Sequence, residues 1–135
     1  MYTITAEAAF DSAHFLSGYG GKCRNLHGHR WRVVLTLKAR ELGADGMLMD
    51  FTDLKRELRA ETERFDHALI YRKNSLKSGT VTALNAEGFR LAEVAFQTTA
   101  ENFAKYFYDI FAAKGFSVAS AEVFETPENS ARYDE

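Results

Sequence analysis

Cysteine is almost absent from this sequence: Cys23 is the only one among 135 residues. A single cysteine cannot form an intramolecular disulfide, so the fold does not depend on an oxidising compartment. The amino terminus lacks the basic and apolar regions of a signal peptide, and no apolar run approaches the roughly 20 residues of a membrane-spanning helix. We therefore expect a cytoplasmic protein that does not associate with membranes.

Acidic residues are absent from positions 12–40, where every charged side chain is cationic. The cations are Lys22, Arg24, Arg30, Arg32, Lys38 and Arg40. This asymmetry favours an anionic ligand near the segment, and a solvated basic surface explains it equally well. The formal net charge of −2 gives no general indication of a nucleic-acid partner.

Apolar residues, in contrast, are plentiful. Hydrophobic residues make up 46% of the chain and aromatic residues 13%, with 11 Phe. This composition excludes a disordered chain. A chain of this length predicts one domain, residues 1–135, with a substantial core.

A pair of histidines is the most informative feature. His27 and His29 are two residues apart, so both imidazoles leave the same face of an extended strand. His14 lies at the predicted end of an earlier strand. Three imidazoles without a fourth protein ligand are typical of a catalytic zinc site, which keeps one position open for water or substrate. Cys23 could act beside such a metal as a base or nucleophile.

Other interpretations of these residues stay open. Histidines near strand ends are often polar residues with satisfied hydrogen bonds, and a His-x-His pair alone is a weak signal. Cys23 is alternatively a fourth ligand that closes a structural site, or a small buried hydrophobe.

Three acidic residues are further candidates. Asp66 directly precedes His67, and a carboxylate can tune the proton affinity of a neighbouring imidazole, although a polar helix end on the surface is commoner for this dipeptide. Glu125 falls on the inward face of a predicted strand, where a carboxylate must be paired, protonated or bound to a ligand. Glu101 is explained by a capping box, Thr98 to Glu101, that opens a helix.

The periodicity predicts four strands and two main helices. The strands are placed at residues 2–10, His27 to Lys38, 118–125 and 130–133; the helices run over 52–64, capped by Asp50 or Thr52, and from the capping box to Gly115. In the third strand Ala119, Ala121, Val123 and Glu125 are expected to share the inner face. A short helix is expected at 80–87, and residues 89–96 are irregular or a short strand. This order predicts an α+β domain with one four-stranded antiparallel sheet, whose exposed edges favour homo-oligomeric assembly into a closed barrel.

Several motifs occur together along nearly the whole chain. They are Ala13-His14, Cys23-x-x-x-His27-Gly28-His29, Met49-Asp50-Phe51-x-Asp53-Leu54-Lys55, Phe65-Asp66-His67-x-Leu69, Thr99-Ala100-Glu101-Asn102 and Phe124-Glu125-Thr126. In this combination the chain resembles the 6-pyruvoyl-tetrahydropterin synthase superfamily. Within it, the chain is most similar to the bacterial 6-carboxy-5,6,7,8-tetrahydropterin synthases of the queuosine pathway. The three residues between Cys23 and His27 resemble that branch, whereas Thr98-Thr99 stands where many relatives have Pro-Thr.

The resemblance implies the tunnelling fold, a ββααββ unit that assembles into barrels, commonly a hexamer built as a dimer of trimers with active sites near subunit interfaces. It also implies a role for each candidate residue. His14, His27 and His29 would hold Zn²⁺, Cys23 would be the general base, Asp66 with His67 the proton relay, Glu125 the anchor of the pterin ring and Glu101 a further pterin contact.

The implied reaction converts 7,8-dihydroneopterin triphosphate to 6-carboxy-5,6,7,8-tetrahydropterin with release of acetaldehyde and triphosphate. One alternative is a 6-pyruvoyl-tetrahydropterin synthase, which stops after triphosphate elimination. A second is a non-catalytic zinc-binding or pterin-binding assembly protein. A third is an aldolase or epimerase of the same fold, which would not use this three-histidine zinc set.

Overall fold

The computed structural model describes residues 1–135 and contains six strands and three α-helices. The elements follow the order β1 (Tyr2–His14), a short 3-10 turn (Lys22–Arg24), β2 (His27–Ala39), α1 (Phe51–Thr62), β3 (Ala68–Arg72), α2 (Ser78–Ala86), β4 (Leu91–Val94), α3 (Ala100–Ala113), β5 (Val118–Thr126) and β6 (Asn129–Tyr133). The chain is therefore an α+β protein, as predicted. It contains no helix with both the length and the apolar character that a membrane crossing requires.

All six strands form one sheet in the order β4-β3-β1-β2-β5-β6. The predicted strands β1, β2, β5 and β6 pair antiparallel, but β3 and β4 extend the sheet in parallel with β1. The sheet is therefore six-stranded and mixed, which corrects the prediction of four antiparallel strands. The sequence signal was weak because β3 is short and largely buried, so its residues do not alternate between apolar and polar.

The long hairpin of β1 and β2 is the centre of the fold. The two strands pair without interruption from Tyr2 opposite Ala39 to His14 opposite His27. Their inward residues are buried as the alternation predicted: Ala6, Ala8, Phe10, Ser12 and His14 on β1, and Trp31, Val33, Leu35 and Leu37 on β2. The carboxyl end of β1 and the amino end of β2 therefore meet at the edge of the core.

Helices α1 and α3 cover the inner face of the sheet. Asp50 caps α1, because its carboxylate accepts from the Thr52 amide at 2.7 Å, and the helix buries Leu54 and Leu58. Helix α3 contributes an aromatic row to the same core: Phe103, Phe107, Tyr108 and Phe111. It ends before Gly115, whose φ of 93° is a conformation that glycine adopts without strain.

Strand β5 differs from its prediction by a register shift. Val118 lies opposite Leu37 whereas Ser120 lies opposite Thr36, so a bulge separates the two pairs. Val118, not Ala119, consequently packs into the core. The shift occurs before Ala121, so the inward placement predicted for Val123 is confirmed.

Candidate metal centre

Three imidazole rings converge where β1 ends and β2 begins. His14 lies opposite His27 in the strand pairing, and His29 lies opposite Ser12. The ring centroids are separated by 4.6 Å for His14 and His27, 5.2 Å for His14 and His29, and 4.9 Å for His27 and His29. The predicted convergence of the three histidines is therefore confirmed.

Hydrogen bonds fix which nitrogen of two rings faces the cluster. Nδ1–H of His14 donates to the carbonyl oxygen of Thr98 at 2.9 Å, and Nδ1–H of His27 donates to the carbonyl oxygen of Asn25 at 2.7 Å. These bonds leave Nε2 of both rings as a lone-pair donor. Nε2 of His14, His27 and His29 are all buried without a hydrogen-bond partner. Buried nitrogens with free lone pairs, backed by Nδ1–H bonds to carbonyls, have the arrangement of metal ligands.

Glu125 brings a carboxylate to the same point. Its Oε1 lies 3.4 Å from Nε2 of His14 and 3.3 Å from Nε2 of His29, and one ligand atom from each of the four residues falls within 4.8 Å of the others. The prediction had placed Glu125 on the inward face but not within the histidine cluster. The cluster therefore contains a carboxylate in addition to the three imidazoles.

The protonation state of His14 is compatible with a metal ion in the cluster. Burial, followed by the neighbouring His27 and His29, lowers the pKa of His14 to about 4, so the ring is neutral at neutral pH. Because its proton is on Nδ1, Nε2 cannot donate to Glu125. Burial also lowers the pKa of His29, against the opposing effect of Glu125. A metal ion between these lone pairs and the carboxylate fits the donor set.

The aromatic side chains of Trp31 and Phe103 pack beneath the cluster. The Trp31 ring meets the rings of His14 and His29 edge-on, with centroids 5.0 and 5.7 Å apart, and packs on Phe103 at 5.1 Å. Trp31 and His14 are fully buried. This packing restricts the orientation of the imidazoles and keeps water away from the inner side of the site.

Cys23 lies outside the metal cluster. It is a free, exposed thiol on the 3-10 turn that precedes β2, and its sulfur is not among the converging ligand atoms. The alternative that it is a small buried hydrophobe is therefore wrong. Its carbonyl accepts from the Leu16 amide at 2.8 Å, which ties the turn to the chain that follows β1.

Asp66 and His67 form a second, separate pair. His67 Nδ1 lies 3.0 Å from Asp66 Oδ2, and the Asp11 amide donates to Asp66 Oδ1 at 3.0 Å. This amide contact, followed by the contact with His67, lowers the pKa of Asp66. The His67 amide in turn donates to the Asp11 carbonyl at 2.6 Å. The pair is thus fixed to β1 rather than lying at a helix end.

The backbone of His67 is in an uncommon conformation. Its φ of 57° lies in the left-handed region that residues other than glycine rarely adopt. Such conformations persist where surrounding contacts enforce them, and they concentrate at functional sites. The side chain of His67 is 77% exposed, so its ring is available to a ligand or a second chain.

A cavity of about 570 Å³ has both His29 and His67 in its lining. Its other lining residues are mostly apolar, and two of them, Leu26 and Phe89, are 65% and 61% exposed. A volume of this size is typical of small-molecule sites. The cavity is the feature that links the metal cluster to the Asp66–His67 pair.

The region before α3 corrects one prediction and reveals a residue that was missed. Thr99, not Thr98, caps the helix, because its hydroxyl accepts from the Asn102 amide at 3.3 Å. Glu101 is therefore exposed in the first turn and takes no part in a capping box. Thr98 is instead fully buried against His14. Nothing in the sequence indicated this contact, since the two residues are 84 positions apart.

Comparison with known proteins shows relatives that match along most of this chain. The protein from Haemophilus influenzae named 6-carboxy-5,6,7,8-tetrahydropterin synthase is 34% identical over the full length of both chains. A protein of the same name from Aquifex aeolicus is 31% identical over 84% of this chain and 76% of its own.

Solved structures share the fold at lower identity. An uncharacterized protein from Wolinella succinogenes superposes with a TM-score of 0.81 at 23% identity, over 99% of this chain and 98% of that one. The 6-pyruvoyl tetrahydropterin synthase of Plasmodium vivax gives 0.74 at 20%, over 99% and 97%. A sequence model described as 6-pyruvoyl tetrahydropterin synthase matches residues 3–135, and the chain belongs to this family.

Proposed function

We propose that the protein is a zinc-dependent lyase that converts 7,8-dihydroneopterin triphosphate and water to 6-carboxy-5,6,7,8-tetrahydropterin, acetaldehyde and triphosphate. The observation that carries the proposal is the convergence of three buried, unpartnered Nε2 atoms on the Glu125 carboxylate. Membership of the family, and full-length similarity to a relative named as a 6-carboxytetrahydropterin synthase, support the choice of substrate and product.

Zinc is the ion proposed for the cluster of His14, His27 and His29, because it favours imidazole ligands in a tetrahedral site. When bound, zinc supplies Lewis-acid stabilisation of negative charge on the substrate side chain. The protein's own contribution is to hold the ligands ready. The Nδ1–H bonds of His14 and His27 keep Nε2 free, and Trp31 restricts the rings.

Cys23 is the proposed general base, and the Asp66–His67 pair is the proposed proton relay. The exposed position of Cys23 leaves its sulfur, as the thiolate, free to take a proton from the substrate side chain. Asp66 accepts from Nδ1–H of His67, which leaves Nε2 to exchange a proton with the substrate. His67 of the relay pair and His29 line one cavity, which supports their acting on one substrate.

Glu125 is the proposed anchor of the pterin ring. A carboxylate can pair with a ring N–H and an exocyclic amino group in a two-pronged contact. The side chain of Glu125 is 30% exposed, so part of it remains accessible beside the cluster. Glu101 is proposed as a further pterin contact, since it does not cap its own helix.

The proposed reaction has two stages. Elimination of triphosphate with internal oxidation and reduction brings the side chain to two adjacent carbonyl groups, the 6-pyruvoyl state. Water then adds to the carbonyl next to the ring. The bond between the two carbonyl carbons breaks, and the outer carbonyl carbon keeps the electron pair and takes up a proton. The ring keeps the carboxylate, and the two terminal carbons leave as acetaldehyde. The second candidate function, a 6-pyruvoyl-tetrahydropterin synthase, ends after the first stage.

Product analysis tests this proposal. Zinc-loaded protein incubated with dihydroneopterin triphosphate is expected to yield acetaldehyde and 6-carboxytetrahydropterin in equal amounts by mass spectrometry. The pyruvoyl product alone would establish the second candidate. Neither product from zinc-loaded protein would contradict both and leave a non-catalytic binding protein, whereas turnover of dihydroneopterin without metal would establish the aldolase or epimerase.

We also propose that the protein functions as a homo-oligomer with a barrel architecture, a hexamer or a related assembly. The sheet ends in two unpaired edges, β4 and β6, which can pair with another subunit. The exposed Leu26 and Phe89 at the cavity would be covered by such a neighbour. Light scattering coupled to size-exclusion chromatography tests this, and a monomer of 15.2 kDa would contradict it.

A further inference from the structure

We propose that the hydroxyl group of Thr98 is a positioning group for His14: together with the Thr98 carbonyl it holds the ring in the orientation that presents Nε2 to the metal. This inference rests on the metal-binding role proposed above for the histidine cluster. Thr98 belongs to no strand or helix and precedes the residue that caps α3. Its side chain is nevertheless fully buried, which is uncommon for a threonine without a structural or functional partner.

The hydroxyl has two partners, and its single proton decides their roles. Thr98 Oγ1–H donates to the carbonyl of Phe15 at 3.1 Å. With its proton committed there, Oγ1 can only accept from Nδ1 of His14, which lies 3.1 Å away. The Thr98 carbonyl, 2.9 Å from the same Nδ1, is also an acceptor. Two acceptors therefore face Nδ1, and only the tautomer with a proton on Nδ1 satisfies them.

Hydrogen bonds of the neighbouring residue also hold the Thr98 hydroxyl in place. The neighbouring Gln97 accepts from Ser17 Oγ at 3.1 Å and donates to the Ser17 carbonyl at 2.8 Å. These two bonds join the segment before α3 to the chain that follows β1, next to the Thr98–Phe15 bond. A rigid acceptor at Nδ1 holds the ring plane of His14 as well as its tautomer.

This arrangement distinguishes His14 from the other ligands. Nδ1–H of His27 meets a backbone carbonyl of Asn25, two residues away in the chain, which no side-chain substitution removes. His14 alone is supported by a side-chain hydroxyl, and it alone of the three rings is fully buried. Thr98 is thus the position at which a substitution can change a ligand's orientation without removing the ligand.

The test compares Thr98→Val, Thr98→Ser and Thr99→Val. Valine keeps the shape of threonine but removes the hydroxyl, and serine restores it. Thr99→Val removes the neighbouring hydroxyl that caps α3, so it controls for general destabilisation of this segment. Zinc affinity is measured by competition with a chelator at a temperature where all variants are folded.

We expect Thr98→Val to weaken zinc binding by about 10- to 100-fold, the range typical of lost contacts behind a metal ligand. Thr98→Ser is expected to recover most of this loss, and Thr99→Val to lower the melting temperature while leaving zinc affinity unchanged. Equal zinc affinity for wild type and Thr98→Val would overturn the inference, as would an equal loss in Thr99→Val.

A second measurement does not depend on metal. Nitrogen-15 NMR of the metal-free protein reports the hydrogen bonds made by Nδ1–H of His14. We expect Nδ1 to stay protonated in both proteins, because the Thr98 carbonyl remains an acceptor, and its resonance to shift in Thr98→Val, which has lost the second acceptor. An Nδ1 resonance that is unchanged in Thr98→Val would overturn the inference even if the protein binds zinc. Conversely, if wild type binds no zinc but the Nδ1 resonance shifts in Thr98→Val as expected, the proposed function is contradicted and the role of Thr98 is supported.

Discussion

His29 and Glu125 face each other across the cluster, with Nε2 and Oε1 3.3 Å apart. The geometry brings a carboxylate, which the resemblance assigns to substrate, within reach of the ion that the imidazoles are proposed to hold. A metal ligand and a substrate anchor respond differently when the carboxylate is removed, so the two roles can be separated by substitution.

Glu125→Gln is expected to keep zinc and lose affinity for the pterin. Loss of a charged, two-pronged contact raises KM or lowers kcat/KM by about 10- to 100-fold. His29→Ala is the matched variant on the other side of the contact, and it is expected to lose zinc. Metal content and steady-state kinetics measured together check the prediction. If Glu125→Gln loses zinc as His29→Ala does, Glu125 is a ligand and the pterin contact lies elsewhere.

Cys23→Ala is expected to retain zinc and to lower kcat by about 10²- to 10⁴-fold, as removal of a proton-transfer group does. Its sulfur is not among the converging ligand atoms, so the metal site should be unaffected. Cys23→Ser is the size-matched variant, and because a hydroxyl is the weaker base it should also be impaired. Zinc loss in both variants would instead identify Cys23 as a ligand.

Zinc is expected to stabilise the fold, because it binds the folded arrangement of the three histidines and not the unfolded chain. At a free zinc concentration 100 times the dissociation constant, binding adds about 2.7 kcal/mol to the free energy of unfolding. Calorimetry before and after chelation should therefore show a fall in melting temperature on the order of 10 °C. His27→Ala should show no such difference, and a shift that persists in this variant would place the metal elsewhere.

The pH dependence of stability should include a contribution from Asp66. The Asp11 amide and His67 lower the pKa of this carboxyl below its ordinary value of 3.8. Between the two values the unfolded chain binds more protons than the folded one, so this contribution is present above pH 3.8 and is lost as the pH falls through the lowered pKa. Urea unfolding of Asp66→Asn should show a shallower loss over that window. An identical pH profile for both proteins would mean that the Asp11 contact does not stabilise the carboxylate.

Much of this fold follows from two-residue alternation. From Ala6 to His14 and from His27 to Leu37 every second side chain is buried or aimed at the cluster, so the alternation predicts the inward rows and the approach of the three histidines. The elements that escaped prediction are those with little periodicity. Strand β3 has only five residues, and the bulge in β5 depends on its pairing with β2.

The site was predictable to the extent that its members belong to one hairpin or one dipeptide. His14, His27 and His29 share a strand pair, and Asp66 is joined to His67 by sequence. Thr98 could not be identified in this way, because the residue that it contacts, His14, lies 84 positions away in the sequence. Its predicted role as a helix cap was reasonable for the local sequence, and Thr99 fills that role one position later.

The separation of these partners along the chain sets an order of events during synthesis. His14, His27 and His29 leave the ribosome early, but Thr98 follows 84 residues after His14, and Glu125 follows later still. A growing polypeptide thus displays the three histidines well before Thr98 and Glu125 are present to complete the cluster. We therefore expect the proposed ion to be bound by the finished chain rather than by the growing one.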